Sequence, residues 1–382
     1  MSAGSPTKRS FTLGRTRAAM RVLKAFCWSI AFLLAWTLIV LAAWRSQLQN
    51  ATAHRFVFSL LVAAALAVPA RFLALTGAYL VELLLLGWPR SSLRMLFKPS
   101  PSVRMDVVTL VMELVLPQRH IGYVLSFGLL YLIDLATPHL SHLSATSLLP
   151  TWGLQVACFV SFRSCLQYWM HRLEHAIPAL WALHKFHHSA EALSLLTSTR
   201  STQLAQGIES ALVFAPAALL TSATAAPPST SSPLFVFAAI YFGYSTVISV
   251  NAYFCHSNMT TDYGWIGRWL LVNPRMHRLH HARSADYHDR NFTFDLVLWD
   301  RLFGTYVACP PGTDPLTIPL GLEQNPFNHH EGIGGALREY FLSTYREFWL
   351  ELRNGARAWL PARSAARRRM GGESLPIIMS RH

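Results

Sequence analysis

Twenty residues from Ala25 to Trp44 carry no charge, and Arg45 closes the run. That length of apolar chain is what one α-helix needs to cross a hydrocarbon core about 30 Å thick. In lipid, only a helix or a closed barrel satisfies its own backbone polar groups. Further apolar stretches follow: Phe56 to Trp88, broken by Pro69, Arg71 and Glu82, then Ile121 to Leu140, Leu149 to Met170, Ser210 to about Ala223, and Pro233 to about Phe254. Composition agrees, because 14% of the 382 residues are charged and 52% are hydrophobic, whereas a soluble domain carries about a quarter charged residues. Disordered, collagen-like, coiled-coil and low-complexity classes drop out. The expected fold class is an all-α integral membrane protein, multi-pass, with about six spans.

Charge sets the orientation. Lys8, Arg9, Arg15, Arg17, Arg21 and Lys24 precede the first run without an acidic residue among them, and Arg90, Arg94, Lys98 and Arg104 follow the second. Basic flanks stay in the cytosol, so both termini are expected there, with the uncharged Thr224 to Ser232 turn outside. A cleaved signal peptide is not expected from so long a first run. The net charge of +14 reads as this topology rather than as a nucleic-acid footprint. Met170 and Phe254 then end on one cytosolic face. Five scattered cysteines with no CxxC pair imply neither a disulfide framework nor a cysteine zinc site.

The chain divides into N-terminal spans at 1–148, a central domain at 149–308, and a C-terminal loop, helix and basic tail at 309–382. Tyr340, Phe341, Tyr345, Phe348, Trp349, Leu352 and Trp359 mix with Arg338, Arg346, Arg353 and Arg357. This pattern predicts an amphipathic helix lying on the membrane, with a helix packed on the soluble side as the alternative. The tail residues Arg363, Arg367, Arg368 and Arg369 suit anionic lipid.

Of 17 histidines, five fall between positions 171 and 188 and four between 277 and 288. His171 and His175 are spaced i, i+4 before Pro178, which stops their helix. His184, His187 and His188 follow as HxxHH, predicted to share one side, and His277, His280 and His281 repeat that pattern. His256 lies just after the last span. Imidazole suits iron, zinc, copper and nickel, and eight or nine imidazoles exceed the three or four that one zinc needs. Two metals are the economical reading. His54, His120, His139, His142, His329, His330 and His382 have no such spacing and are expected at surfaces or interfaces, with His288 ambiguous. A haem electron carrier would place paired histidines within the membrane instead. A metal transporter would set its ligands near the midplane. No HExxH zinc-protease motif is present.

The order HxxxH, HxxHH, HxxHH resembles the fatty acid hydroxylase superfamily, which includes sterol desaturases and alkylglycerol monooxygenase. The wording around it is similar as well: Tyr168-Trp-Met-His-Arg, Pro178 to Ser189, His256-Ser-Asn258, Asn273 to His281, Asn291, and Trp299-Asp-Arg-Leu-Phe-Gly-Thr305. The resemblance covers roughly Cys158 to Tyr306. It implies a membrane di-iron enzyme, with two non-haem irons that zinc can replace on purification, using O2 and two electrons to attack an unactivated C–H bond of a lipid. Carried onto this chain, the ligands are His171, His175, His184, His187, His188, His256, His277, His280 and His281. Hydroxylation is expected over desaturation. The lipid substrate comes from the bilayer, whether sterol, fatty acyl or ether lipid. An external electron donor of cytochrome b5, ferredoxin or flavin-reductase type is expected, because the chain carries no HPGG haem motif.

Histidines supply no negative charge, so nearby anions should orient the ligands. Asp300 is the first candidate for that catalytic support, ahead of Glu174 and Glu191; an exposed helix face is the favoured reading of Glu174. Arg163 and Asp134 lie in predicted spans and could pair. Trp169, Trp181, Phe186, Tyr244 and Phe254 are expected to wall the site.

Overall fold

The computed structural model describes residues 72–115, 152–209, 212–213, 244 and 246–359. The apolar runs Ala25 to Trp44 and Ile121 to Leu140, most of the two runs between Ser210 and Phe254, and the basic tail lie outside these residues. Among the described residues no helix is long and apolar enough to cross a membrane. Of the stretch Leu149 to Met170, the part from Trp152 onward forms helix, within α2 (Trp152–Ala176). Gln155, Arg163 and Gln167 dilute its hydropathy. The second apolar region contributes a helix over 72–86.

The described residues are helical, and only isolated β-bridges join its loops. Helix α1 (Pro101–Val115) begins on a proline, whose missing N–H costs nothing at that position. Helix α2 ends at Ala176, and α3 (Pro178–His188) restarts after Ile177, again with proline first. Two short helices, α4 (Gln203–Glu209) and α5 (Gly264–Trp269), precede α6 (Pro274–His280) and α7 (Leu298–Leu302). The long α8 (Gly332–Trp359) closes the fold.

Helix α8 packs on α3 and α1. Ala336, Tyr340, Thr344 and Phe348 recur every fourth residue and are buried, so one stripe of the helix faces the core. Phe186 of α3 meets Phe327 and Tyr340 at ring distances of 5.1 and 5.3 Å. Each such ring stabilises the fold by about 1.5–3 kcal/mol on burial. Phe341, Leu342, Trp349 and Leu352 remain exposed on the same helix. The packed helix and the amphipathic apolar surface therefore coexist on α8.

Polar groups fix the frame. Glu82 has no exposed surface; its carboxylate accepts from Ser91 Oγ (2.9 Å), from Ser92 N and Oγ (2.8 Å each) and from Asn258 N (3.2 Å). This ties the 72–86 helix to the turn that follows His256. The expected partner Asp134 lies outside the described residues; Arg163 Nη1 sits 3.6 Å from Asp295 Oδ2. Asp295 also accepts from Tyr244 (2.5 Å) and Ser164. Loop 309–320 is strapped to the third histidine motif by arginines: Arg275 donates to Thr313 O, Arg278 to Pro315 O and Arg283 to Leu320 O, at 3.0, 2.7 and 2.8 Å.

Candidate metal centre

Asn273 caps α6 by accepting from Met276 N at 2.9 Å, with Pro274 at the first helical position. The cap fixes where His277, His280 and His281 begin. The packing that holds it leaves no room at Gly267, where a Cβ would lie 1.8 Å from the Asp262 carbonyl oxygen and 2.8 Å from Asn273 Nδ2.

All nine singled-out histidines converge, in two groups. His171, His175, His184, His188 and His280 form one, and His187, His256, His277 and His281 the other, with ligand atoms within 4.8 Å of one another in each. The HxxHH histidines do not stay on one side, contrary to expectation. His184 and His188 join the first group while His187 joins the second; His277 and His281 join the second while His280 joins the first. A helix advances about 100° per residue, so i and i+4 align while i+3 and i+4 diverge. The two motifs thus exchange members across the centre.

Proton positions follow from the outer partners. Backbone carbonyls only accept, so Nδ1 carries the hydrogen in His171 (to Phe292 O, 2.5 Å), His187 (to Arg200 O, 3.0 Å), His256 (to Ala252 O, 2.7 Å) and His280 (to Arg290 O, 2.7 Å). Their Nε2 atoms are bare. Yet His280 Nε2 faces His171 Nε2 at 3.1 Å, and His187 Nε2 faces His256 Nε2 at 3.2 Å. Two lone pairs at that distance repel with no proton to share. His175 Nε2 is buried without a partner. A cation in each group resolves all three, and neutral imidazole is a fitting ligand for iron, zinc, copper or nickel.

Burial, with neighbouring histidines adding to it, holds His184, His188, His277 and His281 well below the ordinary imidazole range. His187 is lowered as strongly by burial and His256. Burial brings His256 to about 4 and His280 to about 3. The unprotonated form that ligation demands is therefore already present.

Asp300 is buried and touches no histidine. It accepts from Phe292 N (2.8 Å), Thr293 N (3.0 Å), Thr293 Oγ1 and Thr305 Oγ1 (2.7 Å). It positions the loop whose Phe292 carbonyl holds His171, and so reaches the centre through another residue. Glu174 is not on an exposed face. It is buried, with Oε2 3.2 Å from His184 Nδ1, and burial with Glu209 nearby pushes its carboxyl well above the usual range. Glu191 sits apart, accepting from Asn325. His288 is exposed, 3.1 Å from Arg283 O. His330, expected at a surface, is buried against Glu339 at 2.9 Å, because it lies under the start of α8.

Of the expected walls only Trp181 touches the histidines, 5.1 Å from His175 and 5.5 Å from His188. Phe186 points into the core. Phe292 and Phe294 are the aromatics missed: Phe294 stacks on His171 at 4.5 Å and Phe292 lies 5.1 Å from His175. Asp289 was missed too; its Oδ1 is 3.3 Å from His175 Nδ1, and that bond holds the Asp289 carboxyl below its usual range. Asp289 and Asn291 both adopt positive φ of 56°, which asparagine and aspartate tolerate. Acidic residues beside an all-histidine set are the signal that could have found it.

The fold and site define a helical protein with two adjacent all-histidine groups, each able to hold a metal ion. Residues 156–305 match the fatty acid hydroxylase family model, and the similar proteins below support a relation of this part of the chain to the fatty acid hydroxylase superfamily. The chain is similar to alkylglycerol monooxygenase of Danio rerio, 33% identical over 158 residues, which are 40% of this chain and 31% of that protein. The human alkylglycerol monooxygenase is 30% identical over 182 residues, 48% and 36% of the two chains. Ornithine lipid hydroxylase OlsE of Rhizobium tropici is 30% identical over 139 residues, 36% and 38%. The matches thus span only 31% to 38% of these relatives' own lengths. No solved structure matches the chain.

Proposed function

We propose that this protein is an O2-dependent lipid hydroxylase whose two histidine groups each hold one iron. The observation that carries the reading is the pair of bare Nε2 sets facing each other across two sub-sites. The named activities of the relatives, on alkylglycerols and on an ornithine lipid, add support, and we place the substrate in the class of lipids with a polar head and a long hydrocarbon chain.

His171, His175, His184, His188 and His280 would hold one metal, and His187, His256, His277 and His281 the other. When bound, two irons would supply the O2 activation and electron transfer needed to insert oxygen into an unactivated C–H bond. The chain does the rest. The carbonyls of Ala252, Arg200, Arg290 and Phe292 keep Nδ1 protonated and Nε2 free; such outer partners raise ligand basicity and fix ring orientation. Glu174 and Asp289 place the only carboxylates in contact with ligands among the described residues at the five-histidine group, and a cation there would favour their ionised forms. Asp300 acts as a positioning residue through Phe292. Trp181, Phe292 and Phe294 keep that side of the centre apolar.

A membrane setting fits the exposed apolar side chains Trp265, Ile266, Trp269 and Leu270 on and beside α5, with Leu298 and Leu302 on α7. Arg301 stacks between Trp269 and Tyr306, at 4.2 and 4.0 Å from their ring centres. Tryptophan and arginine together suit a membrane–water boundary. The catalytic domain would occupy 149–308, with the N-terminal spans at 1–148, the histidines on the cytosolic side, and an external electron donor.

The test is an assay of anaerobically purified, iron-loaded full-length protein with a reconstituted reductase, lipid and isotopically labelled O2. About two irons per chain and label in a lipid alcohol or its breakdown products are expected. An unlabelled alkene as the main product would make the enzyme a desaturase, and one metal per fully loaded chain would overturn the two-metal centre.

A further inference from the structure

Arg200 heads the fully buried side chains of the described residues by volume. An unpaired buried guanidinium costs several kcal/mol, so a buried arginine persists only where its donors are matched. Here each nitrogen is matched. Nε donates to Phe186 O at 3.0 Å; Nη1 to Ser102 O, Ser102 Oγ and Asp106 Oδ1 at 2.9, 3.2 and 3.0 Å; Nη2 to Ser189 Oγ and Asn328 Oδ1 at 2.7 and 2.9 Å. Asp106 is equally buried and held from its other oxygen by Ser194 and Thr197.

These contacts close on His187. Phe186 precedes it, Ser189 lies two residues after it, and the backbone carbonyl of Arg200 itself accepts the His187 Nδ1 hydrogen at 3.0 Å. One residue therefore grips the chain on both sides of the His187–His188 pair, and of the two it sets the tautomer of His187, through its own carbonyl. His187 is the single member of the four-histidine group contributed by α3. The five-histidine group takes His171, His175 and His280 from elements whose histidines Arg200 does not contact, and Glu174 and Trp181 steady His184 and His188 independently.

We propose that Arg200, paired with Asp106, is a positioning residue for the four-histidine group specifically, acting through His187, so that α1 and the 325–328 loop are coupled to one metal and not to the other. This rests on the two-metal reading above. A general structural role would weaken both groups or neither.

Cobalt(II) titration of the metal-free full-length protein in lipid nanodiscs separates the cases, with the visible d–d bands and the bound cobalt count as readouts. Two binding events are expected for the wild type. In Arg200→Lys, which keeps the charge but loses the fork, one event weakens by about 10- to 100-fold, the range for loss of an outer-sphere partner, and the other shifts less than about twofold. In the His277→Ala background, Arg200→Lys leaves the surviving site unchanged; in the His280→Ala background it weakens the four-histidine site. The neutral pair Arg200→Met with Asp106→Asn gives the same selectivity without an unpaired buried charge. Equal weakening of both events, weakening in the His277→Ala background, or loss of fold in both Arg200 variants makes Arg200 a general structural residue and overturns the proposal. A wild-type protein binding a single cobalt overturns the two-metal reading itself, and this proposal with it.

Discussion

His187 and His188 are sequence neighbours that face different groups, and the same is true of His280 and His281. His187 and His280 each rest on their own backbone carbonyl, of Arg200 and of Arg290, so single losses should be local. His187→Ala is expected to remove one of two metals and turnover with it, while exposed His329→Ala leaves both; metal analysis and product formation check this. The neutral imidazoles also set a pH dependence. Their folded pKa values lie below the unfolded value of about 6.5, so below that pH the unfolded state binds more protons. Stability of the metal-free protein is full above about pH 6.5 and falls on acidification, at about 1.4 kcal/mol per pH unit for each such histidine. For His256 and His280 the loss continues to about pH 4 and about pH 3. Unfolding curves from pH 8 to 5 that superimpose would contradict this. Asn273→Ala removes the α6 cap and should cost about 1 kcal/mol; Gly267→Ala should cost more, since its Cβ meets a carbonyl as well as that cap, and thermal melts would rank them.

Helix α8 carries two kinds of surface, and they fail differently when altered. Tyr340 is fully buried between Phe186 and the backbone of Gln203, whose N–H it accepts at 3.2 Å. Tyr340→Ala should destabilise by about 3–5 kcal/mol, and Tyr340→Phe by about 1 kcal/mol, read from unfolding curves. Trp349 on the opposite face should be neutral to fold stability in detergent. Helix α5 tests the membrane setting: Trp265 and Trp269, retained as the only tryptophans in a Trp→Phe background, should be quenched by brominated lipid in nanodiscs. Full access to aqueous iodide, with no lipid quenching, would place that surface in water.

Across the whole molecule, metal and fold should be linked. A cation that binds the folded histidine groups and not the unfolded chain stabilises by about 2.7 kcal/mol at a hundredfold excess over its dissociation constant. Chelation should lower the melting temperature of the wild type and leave a His187→Ala/His280→Ala variant nearly unmoved; equal shifts would sever the link. The local parts of this centre were legible in the sequence, because i, i+4 spacing and a proline stop act within one or two turns of chain. HxxxH, both HxxHH motifs and the break before Pro178 could be read that way, and so could the amphipathic helix that became α8; His256, with no spacing partner, entered only through the family resemblance. What tertiary structure alone decided depends on which distant groups meet. Spacing places His184, His187 and His188 on neighbouring sides of a helix, but only the approach of α6 and His256 divides them between two groups. Arg163 finds Asp295, Glu174 finds His184, and Arg200 finds Asp106 across 94 residues. A lone acidic residue in an apolar helix announces that it has a partner, and burial raises the cost of lacking one; the identity of that partner is set by packing, which no local pattern encodes.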